Sequence, residues 1–181
     1  MERLSPLIEL IPFDDSHFDL LIEWAPTSEF LLQWAGPGLT YPLTHEQLNL
    51  LIQSASSKPA RTHVYSVRSR TDEQIIGHGE LGRIDRHNLS AEVMRILVGP
   101  PDLRGKGYGG ATVRELVRIG FMELGLHRLD LKVFDFNGSA IRCYERAGFR
   151  HEGTLREARK QGDEYWNTHI MGLLRHEWEG A

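Results

Sequence analysis

Apolar and small residues at Val113, Leu116, Val117, Gly120, Phe121 and Leu124 recur at helical spacing, which predicts one helix from Gly107 to Leu124. Gly125 follows as its C-cap, and Leu129, Leu131 and Val133 then alternate as a strand. Upstream the period is two. Thr62–Arg68, with Val64 and Ser66 on one face and Tyr65 and Val67 on the other, is a first run of this kind. Ile75–Arg83 and Ala91–Val98 are two more, joined by the turn-like segments Thr71–Gln74 and Asp85–Ser90 into an antiparallel meander. Strand, helix, strand across residues 91–134 makes a βαβ unit whose two strands should be parallel neighbours.

Toward the N-terminus, Leu7–Ile11 reads as a strand. Asp14, Asp15 and Ser16 offer N-caps for a helix through Phe18, Leu21, Ile22 and Trp24. Phe30–Thr40, containing Gly36-Pro37-Gly38, reads as a loop. Thr44-His45-Glu46-Gln47 has capping-box spacing ahead of a helix with Leu48, Leu51 and Ile52 on one face. Downstream, Asn137 can cap a shorter helix ending at Gly148. Phe149–Arg159 and Tyr165–Leu174 form a closing hairpin around Gln161–Glu164. The expected fold class is α/β (α+β), a mixed, mostly antiparallel sheet with helices on both faces, in one domain spanning 1–181. Within it, residues 1–60 carry the first strand and helices, 61–136 the meander and βαβ unit, and 137–181 the last helix and hairpin.

Composition narrows the function classes. The chain has 181 residues, 40% hydrophobic and 25% charged, ordinary for a globular domain. A net charge of -4 gives no basic footprint for nucleic acid. The single cysteine, Cys143, excludes an internal disulfide and suits a reducing cytoplasm. No run of 18 apolar residues and no secretory h-region occur, so neither a membrane span nor export is expected, and the location reads as cytoplasmic. The nine histidines show no H-x-x-x-H or Cys/His grouping, so no metal is expected.

The chemistry starts in Val98-Gly99-Pro100-Pro101-Asp102-Leu103-Arg104-Gly105-Lys106-Gly107-Tyr108-Gly109-Gly110. Glycines let the backbone curl with several N–H groups turned inward, and the following helix adds its positive N-terminal end. That combination cradles phosphate, with Arg104 and Lys106 adding charge beside it. Gly105–Gly110 also satisfies G-x-G-x-x-G, and Asp130 lies twenty residues past the last of these glycines, so a dinucleotide-dependent oxidoreductase is a rival. The context argues against it. Gly-Pro-Pro-Asp-Leu-Arg separates the glycines from the strand, Asp130 lies inside the Leu129–Val133 run, and one βαβ unit is present where a dinucleotide fold uses two halves.

Two motifs carry a resemblance. Arg104-Gly105-Lys106-Gly107-Tyr108-Gly109 resembles the R/Q-x-x-G-x-G/A pyrophosphate loop of the GNAT acetyltransferases. Asn137-Gly138-Ser139-Ala140-Ile141-Arg142-Cys143-Tyr144-Glu145-Arg146-Ala147-Gly148-Phe149 resembles that family's N-x-x-A-x-x-x-Y-x-x-x-G-F segment. The likeness covers about residues 60–175 well and the first 60 poorly. The Glu164-Tyr165-Trp166 hairpin and the Leu174–Trp178 ending are most similar to the branch holding the ribosomal-protein N-terminal alanine acetyltransferases.

The resemblance implies a sheet of about seven strands splayed between the fourth and fifth, with acetyl-CoA as co-substrate in the gap. Its acetyl carbonyl would meet backbone N–H groups near Leu97 and Val98, and Arg104, Gly105, Lys106, Gly107, Tyr108, Gly109 and Gly110 would hold the pyrophosphate. Tyr144 would protonate the departing thiolate. Asn137 would either bond the pantetheine arm or only cap its helix. The amine must also lose a proton. Glu80 is the candidate base or water-relay anchor, with His78 two residues away on the same strand face and Glu92 on the next strand as alternatives. Cys143 lies a hundred degrees round the helix from Tyr144 and reads as structural. Trp24, Trp34 and the Gly36–Tyr41 loop are either acceptor-pocket walls or core.

The function expected is transfer of an acetyl group to a primary amine by direct attack, without an acyl-enzyme. The acceptor is left open among a peptide N-terminus, polyamine, amino acid or aminoglycoside. A non-catalytic acyl-CoA-binding module is the alternative, and a homodimer is compatible with the sequence.

Overall fold

The computed structural model describes residues 7–179. One seven-stranded sheet runs through it: β1 (Ile8–Pro12), β2 (His63–Ser69), β3 (Ile75–Asp85), β4 (Ser90–Val98), β5 (Arg128–Phe134), β6 (Arg150–Gln161) and β7 (Glu164–Leu174). Their order across the sheet is β1-β2-β3-β4-β5-β7-β6. Every neighbouring pair is antiparallel except β4 and β5. The expected βαβ unit is therefore present, with α4 (Tyr108–Arg118) as its crossover.

Helices cover both faces, as the alternation along the strands requires. Leu81, Ala91, Val93, Leu129 and Leu131 point to one side and bury against Val113, Leu116, Val117 and Phe121. Ile141, Cys143 and Tyr144 of α5 (Gly138–Arg146) pack on the same cluster. Val64 and Leu97 point the other way, into a second core with α1 (Phe18–Glu23), α2 (Ser28–Ala35) and α3 (His45–Ala55). A short α6 (Arg175–Glu179) brings Trp178 onto Phe121, with ring centroids 5.5 Å apart.

Three local expectations change. Phe30–Thr40 is not all loop, because α2 continues to Ala35. Thr27 supplies the cap that the polar surroundings obscured, its Oγ1 accepting the Phe30 N–H at 3.1 Å, and Leu31 and Ala35 bury one turn apart. Thr44 caps α3 through the Gln47 N–H, but the Gln47 amide donates to the Thr40 and Pro42 carbonyls, so half the capping box forms and Gln47 ties down the preceding loop. The helix predicted to Leu124 stops being α-helical after Arg118 and widens into a π-turn, Ile119–Glu123, closed by the Leu124 N–H on the Ile119 carbonyl. Gly120 sits there because a Cβ would come within 3.1 Å of both Leu129 methyl carbons.

The fold opens where β4 meets β5. Their pairing covers only Ser90–Glu92 against Arg128–Asp130, while β5 goes on pairing with β7 to Phe134. From Val93 to Val98, the edge of β4 that faces β5 has no strand partner.

Candidate active site

The glycine loop begins where β4 ends and runs through a 3-10 turn, Pro101–Leu103, into α4. Gly105 and Gly107 both hold left-handed backbone, at φ 77° and 92°, which side-chain-bearing residues adopt only at a cost. Gly107 is the N-cap of α4 and has no side chain to offer its first turn. The N–H groups of Tyr108, Gly109 and Gly110 thus lie in the turn whose donors have no intrahelical acceptor. These main-chain donors stand where the sequence reading expects a phosphate cradle.

Arg104 sits differently from the sequence expectation. Its guanidinium folds back, Nε donating to the Val98 carbonyl at 3.0 Å and Nη2 to the Gly99 carbonyl at 2.9 Å, over the Phe30 ring. It pins the loop to the end of β4. Trp24 packs on the same corner, its ring so close to Gly99 that a Cβ there would lie 2.0 Å away. Trp24 is therefore a wall of the loop, whereas Trp34 packs farther down β4, in the same core cluster.

Beside the cradle stands α5. Asn137 caps it, Oδ1 accepting the Ala140 N–H at 3.3 Å and the Ser139 hydroxyl at 3.1 Å. A Cβ on Gly110 would lie 3.8 Å from Cys143 Sγ, so the middle of α5 abuts the first turn of α4. That contact brings Tyr144 to the same end of the sheet as the glycine loop. Its ring lies edge-on to Phe149, centroids 6.2 Å apart. Burial, with a smaller contribution from Cys143, pushes the Tyr144 phenol well above the ordinary tyrosine value. Burial likewise raises the Cys143 thiol, which disfavours a thiolate nucleophile there.

On the other face of the sheet, Glu80 and His78 do share a face of β3, and both are 1% exposed. His78 Nε2 lies 2.9 Å from Glu80 Oε1. Arg95 Nη1 reaches both Glu80 oxygens, at 3.1 and 3.0 Å. Burial acts to raise the Glu80 carboxyl, but the His78 hydrogen bond and the Arg95 charge outweigh it, and the net effect holds the group below the usual carboxylate range. Such a carboxylate is a poor proton acceptor. Glu92 is engaged as well, by Lys132 Nζ at 3.0 Å and Arg83 Nε at 3.4 Å.

Arg95 is the residue that pattern reading missed. Between the pairs His78–Leu97 and Glu80–Met94, β3 has one residue and β4 has two, a β-bulge, and Arg95 lies in it at φ 50°. The bulge turns the guanidinium toward Glu80, and Arg95 Nε donates to the Ala35 carbonyl at 3.3 Å. Trp34 Nε1 donates to the Arg95 carbonyl at 2.9 Å. The end of α2 is thereby tied to the strand that borders the gap. A charged residue inside the otherwise apolar run Val93–Val98, one strand away from a carboxylate, was the available signal.

A cavity of about 490 Å³ opens along this side of the gap, lined by Trp34, Gly36, Gly38, Arg95, Lys132 and Phe134 among others. Asp130 takes no part in the glycine loop. It is level with Glu92, six residues before Val98, roughly 20 Å down the strand, and pairs with Arg128. That separation removes the dinucleotide arrangement.

Residues 8–150 match the family model described as an Acetyltransferase (GNAT) domain. The chain belongs to the GNAT acetyltransferase family. An uncharacterized N-acetyltransferase from the SPbeta prophage of Bacillus subtilis is 30% identical over 109 residues, 60% of this chain and 60% of that protein. The spermidine N(1)-acetyltransferase of Vibrio cholerae is 31% identical over 103 residues, 57% of this chain and 58% of that one. The chain thus spans less than two thirds of the length of these curated relatives. The crystal structure of spermidine N-acetyltransferase from Vibrio cholerae, in complex with CoA and spermine, matches the fold with a TM-score of 0.83 and 22% identity, covering 97% of this chain and 99% of that one. In this GNAT domain Tyr144 packs on the sheet face covered by α4 and α5, and the Glu80–Arg95 pair with Trp34 lies on the face covered by α1, α2 and α3.

Proposed function

We propose that the protein transfers the acetyl group of acetyl-CoA to a primary amine by direct attack in a ternary complex. The observation that carries this reading is the loss of β4–β5 pairing after Glu92, below the glycine loop that leads into the N-terminus of α4. A parted parallel pair offers unpaired backbone donors from Val93 to Val98, and those near Leu97 and Val98 can bond the acyl oxygen as it gains charge.

In this reading Gly105, Gly107, Tyr108, Gly109 and Gly110 present main-chain N–H groups to the pyrophosphate, with Lys106 adding charge. Arg104 acts from behind, by holding the loop on Val98 and Gly99. The pantetheine arm follows the gap, where the Asn137 amide nitrogen is left over from capping. Attack of the amine forms the C–N bond as the C–S bond breaks. Tyr144 supplies the proton to sulfur, and the raised pKa keeps that proton in place until charge develops. Glu80 positions Arg95 and the bulge and does not take the proton from the amine, which leaves through water.

The deciding experiment is an acceptor panel scored by thiol release from acetyl-CoA, together with calorimetry of CoA. Turnover with at least one amine and no acetyl-enzyme by mass spectrometry is expected. Binding of CoA without turnover would make the protein an acyl-CoA-binding module. Absence of CoA binding would remove the reading altogether.

A further inference from the structure

The acceptor side of the gap carries an excess of positive charge. On β5, β7 and β6, Lys132, Phe134, Thr168, Trp166 and Arg159 share one sheet face, because Thr168 is paired with Phe134 and Arg159 with Trp166. Lys132, Thr168 and Arg159 line the same cavity as Arg83, Glu92 and Arg95. Glu80 neutralises Arg95 from behind, and Glu92 is shared between Lys132 and Arg83. Arg159 bonds only the Ala158 carbonyl and has no carboxylate partner among the described residues. Two cationic charges remain uncompensated.

A second observation is independent of charge. Thr168 is 6% exposed, and its Oγ1 is buried without a hydrogen-bond partner. A hydroxyl buried without a partner is costly, and this one borders the cavity. A buried, unpartnered hydroxyl on a residue that lines this cavity, on the strand between those of a free guanidinium and an ammonium, can donate to an anionic oxygen seated there. Phe134, Phe136 and Trp166 form an aromatic cluster beside it, with centroids 4.9 to 5.5 Å apart.

We infer that Arg159, Thr168 and Lys132 form a carboxylate-binding subsite, so the acceptor is a primary amine that also carries a carboxylate. This inference rests on the acetyltransfer reading above for the position of the amine, but the subsite itself is read from charge and an orphaned hydroxyl. A second amine, as in a diamine or polyamine, would meet like charge there.

The test uses ligands that differ only at the far end. With CoA-saturated protein, calorimetry should show N-acetyl-4-aminobutyrate binding at least tenfold more tightly than N-acetylputrescine. Arg159→Gln should abolish that preference, and Thr168→Val, nearly isosteric, should reduce it severalfold with the melting temperature retained. In turnover, 4-aminobutyrate should exceed putrescine and spermidine in kcat/KM, with the loss in Arg159→Gln appearing in KM. A tetrapeptide amide with acidic second residue, compared with its Gln counterpart, tells whether the carboxylate comes from a peptide side chain or a small amino acid. Equal binding of the two N-acetyl compounds, binding of neither, or a preference unchanged in Arg159→Gln would overturn the subsite. Carboxylate-selective binding without any acetyl transfer would instead overturn the catalytic reading.

Discussion

Arg95 grips both oxygens of Glu80 from a left-handed backbone position inside a strand bulge, and the pair is nearly sealed from water. A carboxylate held this way stabilises the fold and does not suit proton abstraction. Glu80→Gln should lower unfolding free energy by about 2–4 kcal/mol, because a buried guanidinium loses its counter-charge. The acid limb of the kcat/KM profile should nevertheless survive. Equilibrium denaturation and a pH–rate profile measure the two; loss of that limb at unchanged stability would restore Glu80 as the base.

The same pair predicts a pH dependence of stability. Since the folded pKa of Glu80 is depressed, its contribution is fully present above the unfolded value of about 4.3. It disappears as pH falls through the lower folded value. The stability gap between wild type and Glu80→Gln should therefore be constant from pH 5 to 7 and narrow below about pH 4. Urea midpoints across that range would show it.

Tyr144→Phe keeps the ring against Phe149 and removes the proton. Turnover should fall about 10²–10⁴-fold with little change in KM for acetyl-CoA. Because burial raises this phenol, wild-type activity should show no tyrosine limb up to about pH 10, the ordinary phenol value. Single-turnover rates within threefold of wild type would leave Tyr144 a packing residue.

Gly107→Val places a branched side chain at φ 92° on the helix N-cap, where it would also stand over the cradle. CoA affinity should fall beyond detection by calorimetry, while the circular dichroism spectrum is retained. Arg104→Ala should weaken CoA less, by about 1–3 kcal/mol, since the backbone donors remain.

A Cβ on Gly77 would lie 2.2 Å from the Leu97 carbonyl oxygen, beside the bulge, whereas one on Gly153 meets nothing within 4 Å. Gly77→Ala should destabilise by about 1–3 kcal/mol and Gly153→Ala by under about 0.5 kcal/mol. Thermal melts of the two variants compare them directly.

The strands, the crossover helix and the backbone form of the glycine loop were legible because each has its own period or its own backbone demand. Val113 to Phe121 declares a buried face, and Gly105 and Gly107 sit where left-handed backbone is needed. What eluded the pattern depends on register. The bulge at Arg95 is one extra residue in β4, visible only once His78 is paired with Leu97 and Glu80 with Met94. Thr168 and Arg159 meet Lys132 only through the β5-β7-β6 order, in which the last two strands reverse. The helix at Ser28–Ala35 was hidden because its cap, Thr27, follows Pro26 in a stretch that resembles a turn. Arg104 was assigned by charge, and geometry directs its fork to two carbonyls.

A sheet parted between β4 and β5 has four edges in place of two. The native state is in that sense thermodynamically unfinished until something bridges the halves. Any molecule that does so binds the folded chain and not the unfolded one, and at a hundredfold excess over its Kd adds about 2.7 kcal/mol. Survival of the protein is thereby linked to the supply of what fills the gap. A starved population would open more often, and its two inner edges would then be free to recruit neighbouring chains.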